Sequence, residues 1–262
     1  MGYKTFYTHN ESSFSEYNLL SCYWAGFIAA DGCIDKNHGR YNMLRVHLNR
    51  QDEEHLFKLK DYLKYTGEIK QRPARKNTKE SSIITICKAE KIISDLYTKF
   101  NITPKKSLTY KPPSIKQLGL ENSLAFLGGY IDGDGCVHYN KTKHKFSISI
   151  VGTSSTMSFI KDISDIILYK YTSNIISSVN IFPTYCQFSL TNYKSLVFLY
   201  NIYKLDLPVL DRKWDKFIDY FKHTFNIHPY NCLDLKEKIN EFKRKTGVRS
   251  NNNCLCNSYS RC

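Results

Sequence analysis

Two segments of this chain share one pattern of apolar and polar positions. Residues 24–32 read Trp24-Ala25-Gly26-Phe27-Ile28-Ala29-Ala30-Asp31-Gly32, and residues 127–135 read Leu127-Gly128-Gly129-Tyr130-Ile131-Asp132-Gly133-Asp134-Gly135. Each is an apolar helical run rich in small residues, which ends on Asp-Gly and passes into a strand-like Cys-Ile or Cys-Val. Gly26 and Ala30 stand four residues apart, as do Gly129 and Gly133, so each pair falls on one helix face. Small residues at that spacing let two helix backbones approach closely. Glycine inside a helix costs about 0.5–1 kcal/mol against alanine, and a helix–helix interface is the expected compensation.

The patterns after each segment recur in the same order. Helix 1 is expected to start at a Ser13 or Ser15 cap and to end at Asp31. A hairpin follows, from Cys33 to Lys36, through Asn37-His38-Gly39, and on to Tyr41–Asn49. There Leu44, Val46 and Leu48 alternate with Met43, Arg45, His47 and Asn49, the period of a half-buried strand. Asp52-Glu53-Glu54 opens a helix continued by Leu56, Leu59 and Leu63 to about residue 65. Strands near 68–72 and 82–87, joined by the basic loop Arg72-Pro73-Ala74-Arg75-Lys76, lead to a helix with Ile92, Ile93 and Leu96. In the second copy, strand 145–151 turns Phe146, Ile148 and Ile150 inward and Lys145, Ser147 and Ser149 outward. A helix with Phe159, Ile163 and Ile167, strands near 173–181 and 185–190, and helix 193–203 complete it. Residues 212–225 read as one more helix, with Trp214, Phe217, Ile218 and Phe221 on one face.

The order predicts an α+β protein of two pseudo-symmetric αββαββα units packed through their first helices, each with an outward-facing basic antiparallel sheet. The expected division is a first unit at 1–103, a linker at 104–122 around Pro112-Pro113, a second unit at 123–225 and a basic, cysteine-containing tail at 226–262. Lys105, Lys106 and Lys111 in the linker are candidates to run beside phosphates. In the tail, Leu235, Ile239 and Phe242 mark a short amphipathic helix. Cys232, Cys254, Cys256 and Cys262 have zinc-ligand chemistry but lack the paired Cys-x₂-Cys spacing of common zinc modules.

Charge narrows the class of partner. With 38 Lys and Arg against 24 Asp and Glu, the 262 residues carry a net charge of +14, and 42% are hydrophobic. This is a folded basic chain rather than a disordered tail, and a polyanion, nucleic acid first, is the expected partner. No long basic amphipathic stretch argues for a membrane surface. No apolar run nears the roughly 18 residues that would span a bilayer, and the first residues lack the apolar core of a signal peptide. An intracellular location with reduced cysteines is therefore expected. Cys22, Cys33, Cys87, Cys136 and Cys186 lie in or beside apolar patterns and read as small core residues.

Asp31 and Asp134 break a local rule. Gly32 and Gly135 read as helix-ending glycines, so each aspartate falls in a last turn, where the macrodipole disfavours a carboxylate by about 0.3–1 kcal/mol. One Asp-Gly is a common turn dipeptide; the same violation in both copies points to function. If the two helices pack in parallel, both carboxylates meet at one end. Two anions there call for a cation, and oxygen ligands suit Mg²⁺, Mn²⁺ or Ca²⁺.

These two segments resemble the paired motifs of the LAGLIDADG homing endonucleases in their single-chain, two-repeat form. The final Asp-Gly matches in both copies. The first departs at its sixth position, where Ala29 replaces an aspartate that is not the metal ligand in the family. The resemblance implies a saddle of two sheets along DNA and divalent-metal-dependent hydrolysis of both strands, with Mg²⁺ the expected ion and Mn²⁺ or Ca²⁺ able to substitute for binding. Asp31 and Asp134 are the implied catalytic and metal-binding residues, with the carbonyls of Ala30 and Gly133 as extra ligands. By the same resemblance Lys88, just after the fourth strand, is an accessory catalytic lysine. Arg50 and Gln51 stand where the family has a polar residue that positions water. For DNA contact the outward strand positions nominate Arg45, His47, Lys70, Arg72, Lys145, Ser147 and Gln187, with Arg50 and Arg75 beside them. A monomer acting on double-stranded DNA is expected. An intron RNA maturase and a non-cleaving DNA-binding regulator remain alternatives on the same scaffold, and host intron RNA is a further candidate partner.

Overall fold

The computed structural model describes residues 7–74, 79–171 and 178–246. The first repeat runs α1 (Leu19–Asp31), β1 (Gly32–Asn37), β2 (Arg40–Asn49), α2 (Glu53–Tyr62), β3 (Lys70–Arg72), β4 (Ser81–Cys87) and α3 (Glu90–Phe100). A 3₁₀ turn at Lys106–Leu108 and a short helix, α4 (Ile115–Leu118), lead into the second. That repeat runs α5 (Leu120–Asp134), β5 (Gly135–Asn140), β6 (Lys145–Gly152), α6 (Ser154–Tyr169), β7 (Ser178–Ile181), β8 (Cys186–Thr191) and α7 (Asn192–Tyr203). Two further helices follow, α8 (Asp211–Phe225) and α9 (Leu235–Thr246). The strands form two four-stranded antiparallel sheets, ordered β1-β2-β4-β3 and β5-β6-β8-β7. The two-repeat α+β architecture is therefore the one expected.

Some boundaries move. The cap of α1 is Asn18, whose Oδ1 accepts from Ser21 N at 2.9 Å while Asn18 N donates to Ser21 Oγ at 3.0 Å. Ser15, a candidate cap in the sequence, donates to Asp95 instead. Helix α2 stops at Tyr62, and residues 173–177, placed in a strand by the pattern, lie outside the described residues.

The two halves meet through α1 and α5, and glycine sets the distance. A Cβ on Gly26 would stand 1.8 Å from Phe126 O, and one on Gly129 would stand 1.8 Å from Tyr23 O. One on Gly133 would come within 2.3 Å of the Ala30 Cβ. Tyr23 and Phe126 each lie three residues ahead of their repeat's glycine, so the two clashes are pseudo-twofold mates. The backbones touch on the small-residue faces that the sequence marks, bringing the ends of α1 and α5 side by side.

The strand alternation also holds. Leu44, Val46 and Leu48 are buried, as are Phe146, Ile148 and Ile150. Cross-strand partners share a face, and the register puts Arg45 opposite Cys33, His47 opposite Ile83, Lys70 opposite Ile83, and Arg72 opposite Ser81. Arg45, His47, Lys70 and Arg72 thus occupy one outer face. Three cysteines read as core residues are corrected here. Cys33, Cys87 and Cys136 are exposed, whereas Cys22 and Cys186 are buried. Each first strand begins on its glycine, so the inward positions fall to Ile34 and Val137.

Candidate active site

Helices α1 and α5 end on Asp31 and Asp134, and the following glycines close them: Gly32 N donates to Ile28 O and Gly135 N to Ile131 O. Both glycines are extended, with φ of −81° and −79°, not left-handed. Their role is space. A Cβ would sit 2.6 Å from Ile28 O at Gly32 and 2.5 Å from Ile131 O at Gly135.

The carboxylates share one electrostatic environment. Burial, and then the Asp134 charge, raise the Asp31 pKa to about 6. Burial also raises Asp134, but the Tyr130 hydroxyl hydrogen-bonds it and opposes the shift. The first repeat has Phe27 at the matching position, which offers no hydroxyl. Two lysines face the pair and favour its charged form.

Neither lysine was singled out as catalytic from the sequence. Lys106, from the linker, is buried and its Nζ donates to Gly32 O. Lys213, from α8, is buried and its Nζ donates to the carbonyls of Ile131 at 2.9 Å, Asp132 at 2.7 Å and Gly133 at 2.9 Å. An ammonium at a helix C-terminus complements the macrodipole, which offsets the unfavourable position of Asp134. Burial lowers the pKa of both lysines, against the pull of the two aspartates.

Asp132 is the sixth-position aspartate that Ala29 replaces in the first copy. It is buried and accepts from Tyr23 Oη at 2.6 Å, Leu210 N at 2.9 Å and Trp214 Nε1 at 2.7 Å. Arg212 grips Asp52 of the first repeat with two bonds of 2.8 Å. These contacts fix the start of α8, and so place Lys213.

The other nominated residues divide. Gln51 is exposed on the 3₁₀ turn Arg50–Asp52, and the charge of its neighbour Asp52 acts on Asp31, so the turn borders the site. Arg50 is held by Glu53 at 2.8 Å. The Gly133 carbonyl expected as a metal ligand already accepts from Lys213. Lys88 requires a correction. Cys87 pairs with Met43 while Gly32 pairs with Val46, so Lys88 leaves the sheet at the end remote from the aspartates, where its charge acts on Glu90.

On the outer faces, His47, Lys70 and Arg72 are exposed, and Arg45 pairs with Asp35 at 2.7 Å. Arg75 lies outside the described residues. Lys145 is exposed, and Ser147 and Gln187 are half-buried. Their face-mates in the second sheet are Cys136, His138, Asn140, Ser149, Ser189 and Thr191. The two outer faces differ in their share of basic residues. The first sheet's outer face carries Arg45, Lys70 and Arg72, whereas the second's, among described strand positions, carries Lys145 amid hydroxyls and amides.

Comparison with known proteins agrees with this geometry. A family model described as LAGLIDADG endonuclease matches residues 24–113, and one described as LAGLIDADG-like domain matches residues 121–179. The chain belongs to the LAGLIDADG endonuclease family. Among solved structures it is similar to the I-LtrWI LAGLIDADG homing endonuclease bound to target DNA, at 13% identity and a TM-score of 0.50, over 93% of this chain and 99% of that one. It is also similar to the LAGLIDADG homing endonuclease I-GzeII in complex with its DNA target, at 14% and 0.51, over 91% and 100%. Meganuclease I-SmaMI bound to DNA matches at 12% and 0.52, over 88% and 98%. At such identities the likeness is one of fold. No curated protein matches the chain.

Proposed function

We propose that this chain is a site-specific, divalent-metal-dependent endonuclease that cuts both strands of a long DNA target as a monomer. One observation carries the reading. Two carboxylates, one from each repeat, are brought to one end of a backbone-to-backbone helix interface, with two buried lysines facing them. Intact acids favour cleavage over a binder on the same scaffold, and one chain supplies both.

Asp31 and Asp134 are hard oxygen donors, whose pKa values are raised because burial disfavours their charge, with the Asp134 charge adding to the shift at Asp31. Among the described residues no third His, Cys, Asp or Glu joins them. That donor set fits Mg²⁺, which keeps several positions for water and phosphate oxygens; Mn²⁺ or Ca²⁺ would take the same ligands. The Ala30 carbonyl, and the Gly133 carbonyl through its second lone pair, are the further candidates from the chain. When bound, the ion would activate water and stabilise the leaving 3′-oxygen. Lys106 and Lys213 supply fixed positive charge where phosphoryl charge develops, and Gln51, on the turn that ends at Asp52, is the candidate to orient water. The outer strand residues reach base edges from the major groove, which admits a two-stranded ribbon.

The test is selection of cleaved duplexes from a randomised library in Mg²⁺. A single recovered target, cut on both strands, is expected. Recovery of no cleaved sequence from a protein that binds DNA would move the chain to the non-cleaving alternative.

A further inference from the structure

Beside Asp134 opens a groove of about 650 Å³. Asp134, Lys106 and Ala30 line it together with the linker residues Ser107 and Leu108. Phe182, Pro183 and Tyr185, at the tip of the β7–β8 hairpin, line the same groove. Leu108 is 81% exposed, Tyr185 44% and Phe182 39%. Such a grouping of large exposed apolar side chains beside the paired carboxylates marks an interaction surface.

The hairpin tip is built to hold its rings outward. Phe182 N donates to Tyr185 O at 2.9 Å, and the two rings stack with centroids 4.6 Å apart and planes at 23°. The equivalent hairpin of the first repeat differs in kind. The described residues flanking its tip are Arg72, Pro73, Lys79 and Glu80, which line a polar cleft with His47 and Asn49. A pseudo-symmetric fold has therefore placed charge beside one half and aromatic surface beside the other.

Resting on the endonuclease reading, we infer that Leu108 and the Phe182–Tyr185 tip form an apolar wedge that enters the DNA minor groove between the two cut phosphates. The occupant follows from continuity, because the residues that would receive the cut phosphate share this groove. Apolar side chains offered to the minor groove unstack a base step and kink the duplex. The cost is least at pyrimidine–purine steps. The wedge therefore adds a sequence preference at base pairs that the outer strand residues do not reach, on the side of the second repeat only.

The experiment uses the selected target duplex with 2-aminopurine, whose fluorescence rises on unstacking, at each central position in turn, and the full chain in Ca²⁺. Wild-type protein is expected to raise the fluorescence several-fold at one step next to the second half-site. Leu108→Ser and Phe182→Ser are expected to lose that rise while melting as wild type does. Leu108→Ser alone suffices if the Phe182 variant melts early, since Leu108 is so exposed. Binding without any rise, or a rise that both variants keep, overturns the wedge and leaves the endonuclease reading intact. Absence of duplex binding overturns both.

Discussion

Asp31 and Asp134 end matching helices, yet only Asp134 has a tyrosine hydroxyl beside it. In the metal-free protein this makes Asp31 a pH-dependent liability. Its pKa rises from 3.8 to about 6 on folding, chiefly through burial. The stability tied to its protonated form is thus fully present below about pH 4 and lost as the pH climbs through about 6. Asp31→Asn should raise the melting temperature over wild type at pH 8 in EDTA and change it little at pH 4. An equal gap at both pH values would contradict this assignment. Lys213→Met removes the donor from three helix-end carbonyls, of which Ile131 O keeps Gly135 N while those of Asp132 and Gly133 lose this partner. A buried group left unsatisfied costs about 1–3 kcal/mol, so chemical denaturation should show a loss of at least that size, and cleavage should fall with it. The aspartates were legible in the sequence because each breaks a local rule. Lys106 was legible only as one of three linker lysines able to run beside phosphates, and Lys213 not at all, since a lysine at a helix start reads as solvated until the chain returns to the site. Lys88 misled because the register of β4 carries it away from the aspartates.

Among the elements, α1 and α5 carry the most testable geometry. Gly129→Ala would drive a methyl to within 1.8 Å of Tyr23 O, and backbone cannot yield as a side-chain end can. A loss of about 3 kcal/mol or more is expected from overpacking of this kind, read as a large fall in melting temperature or as insoluble protein. A near-neutral result would mean that the helices do not meet at that glycine. This interface was legible from the four-residue spacing of small residues. The phase of β1 and β5 was not. Cysteine after Asp-Gly looks like core, and only the glycine's place as the first strand residue turns Cys33 and Cys136 outward. Helix α8 was expected as an amphipathic helix, but its anchoring was invisible. Arg212 reaches Asp52, and Lys58 reaches Asp211 at 3.1 Å, so α8 locks the first repeat to the second.

For the whole molecule, the pseudo-twofold holds in the backbone and fails in the chemistry of its outer faces. The repeat order was legible because period-two and helical patterns recur. The unequal charge of the sheets was not, because it depends on which strand positions share a face. Duplex binding by a chain of net charge +14 should weaken on the order of 10³-fold between about 50 and 200 mM salt if six phosphates are neutralised. Of the two half-site duplexes, the one held by the first repeat should show the steeper salt dependence, and the reverse order would contradict the face assignment.

The most direct test of the central claim, that Asp31 and Asp134 act together at one interface on two strands, is cleavage of supercoiled plasmid carrying the selected target. Wild type, Asp31→Asn and Asp134→Asn are compared in Mg²⁺ by their nicked and linear products. Since small residues bring the acids to one place, either substitution should abolish both nicking and linearisation by orders of magnitude while DNA binding persists. Nicking alone by each variant would mean two independent sites, and full linearisation by either one would contradict the claim outright.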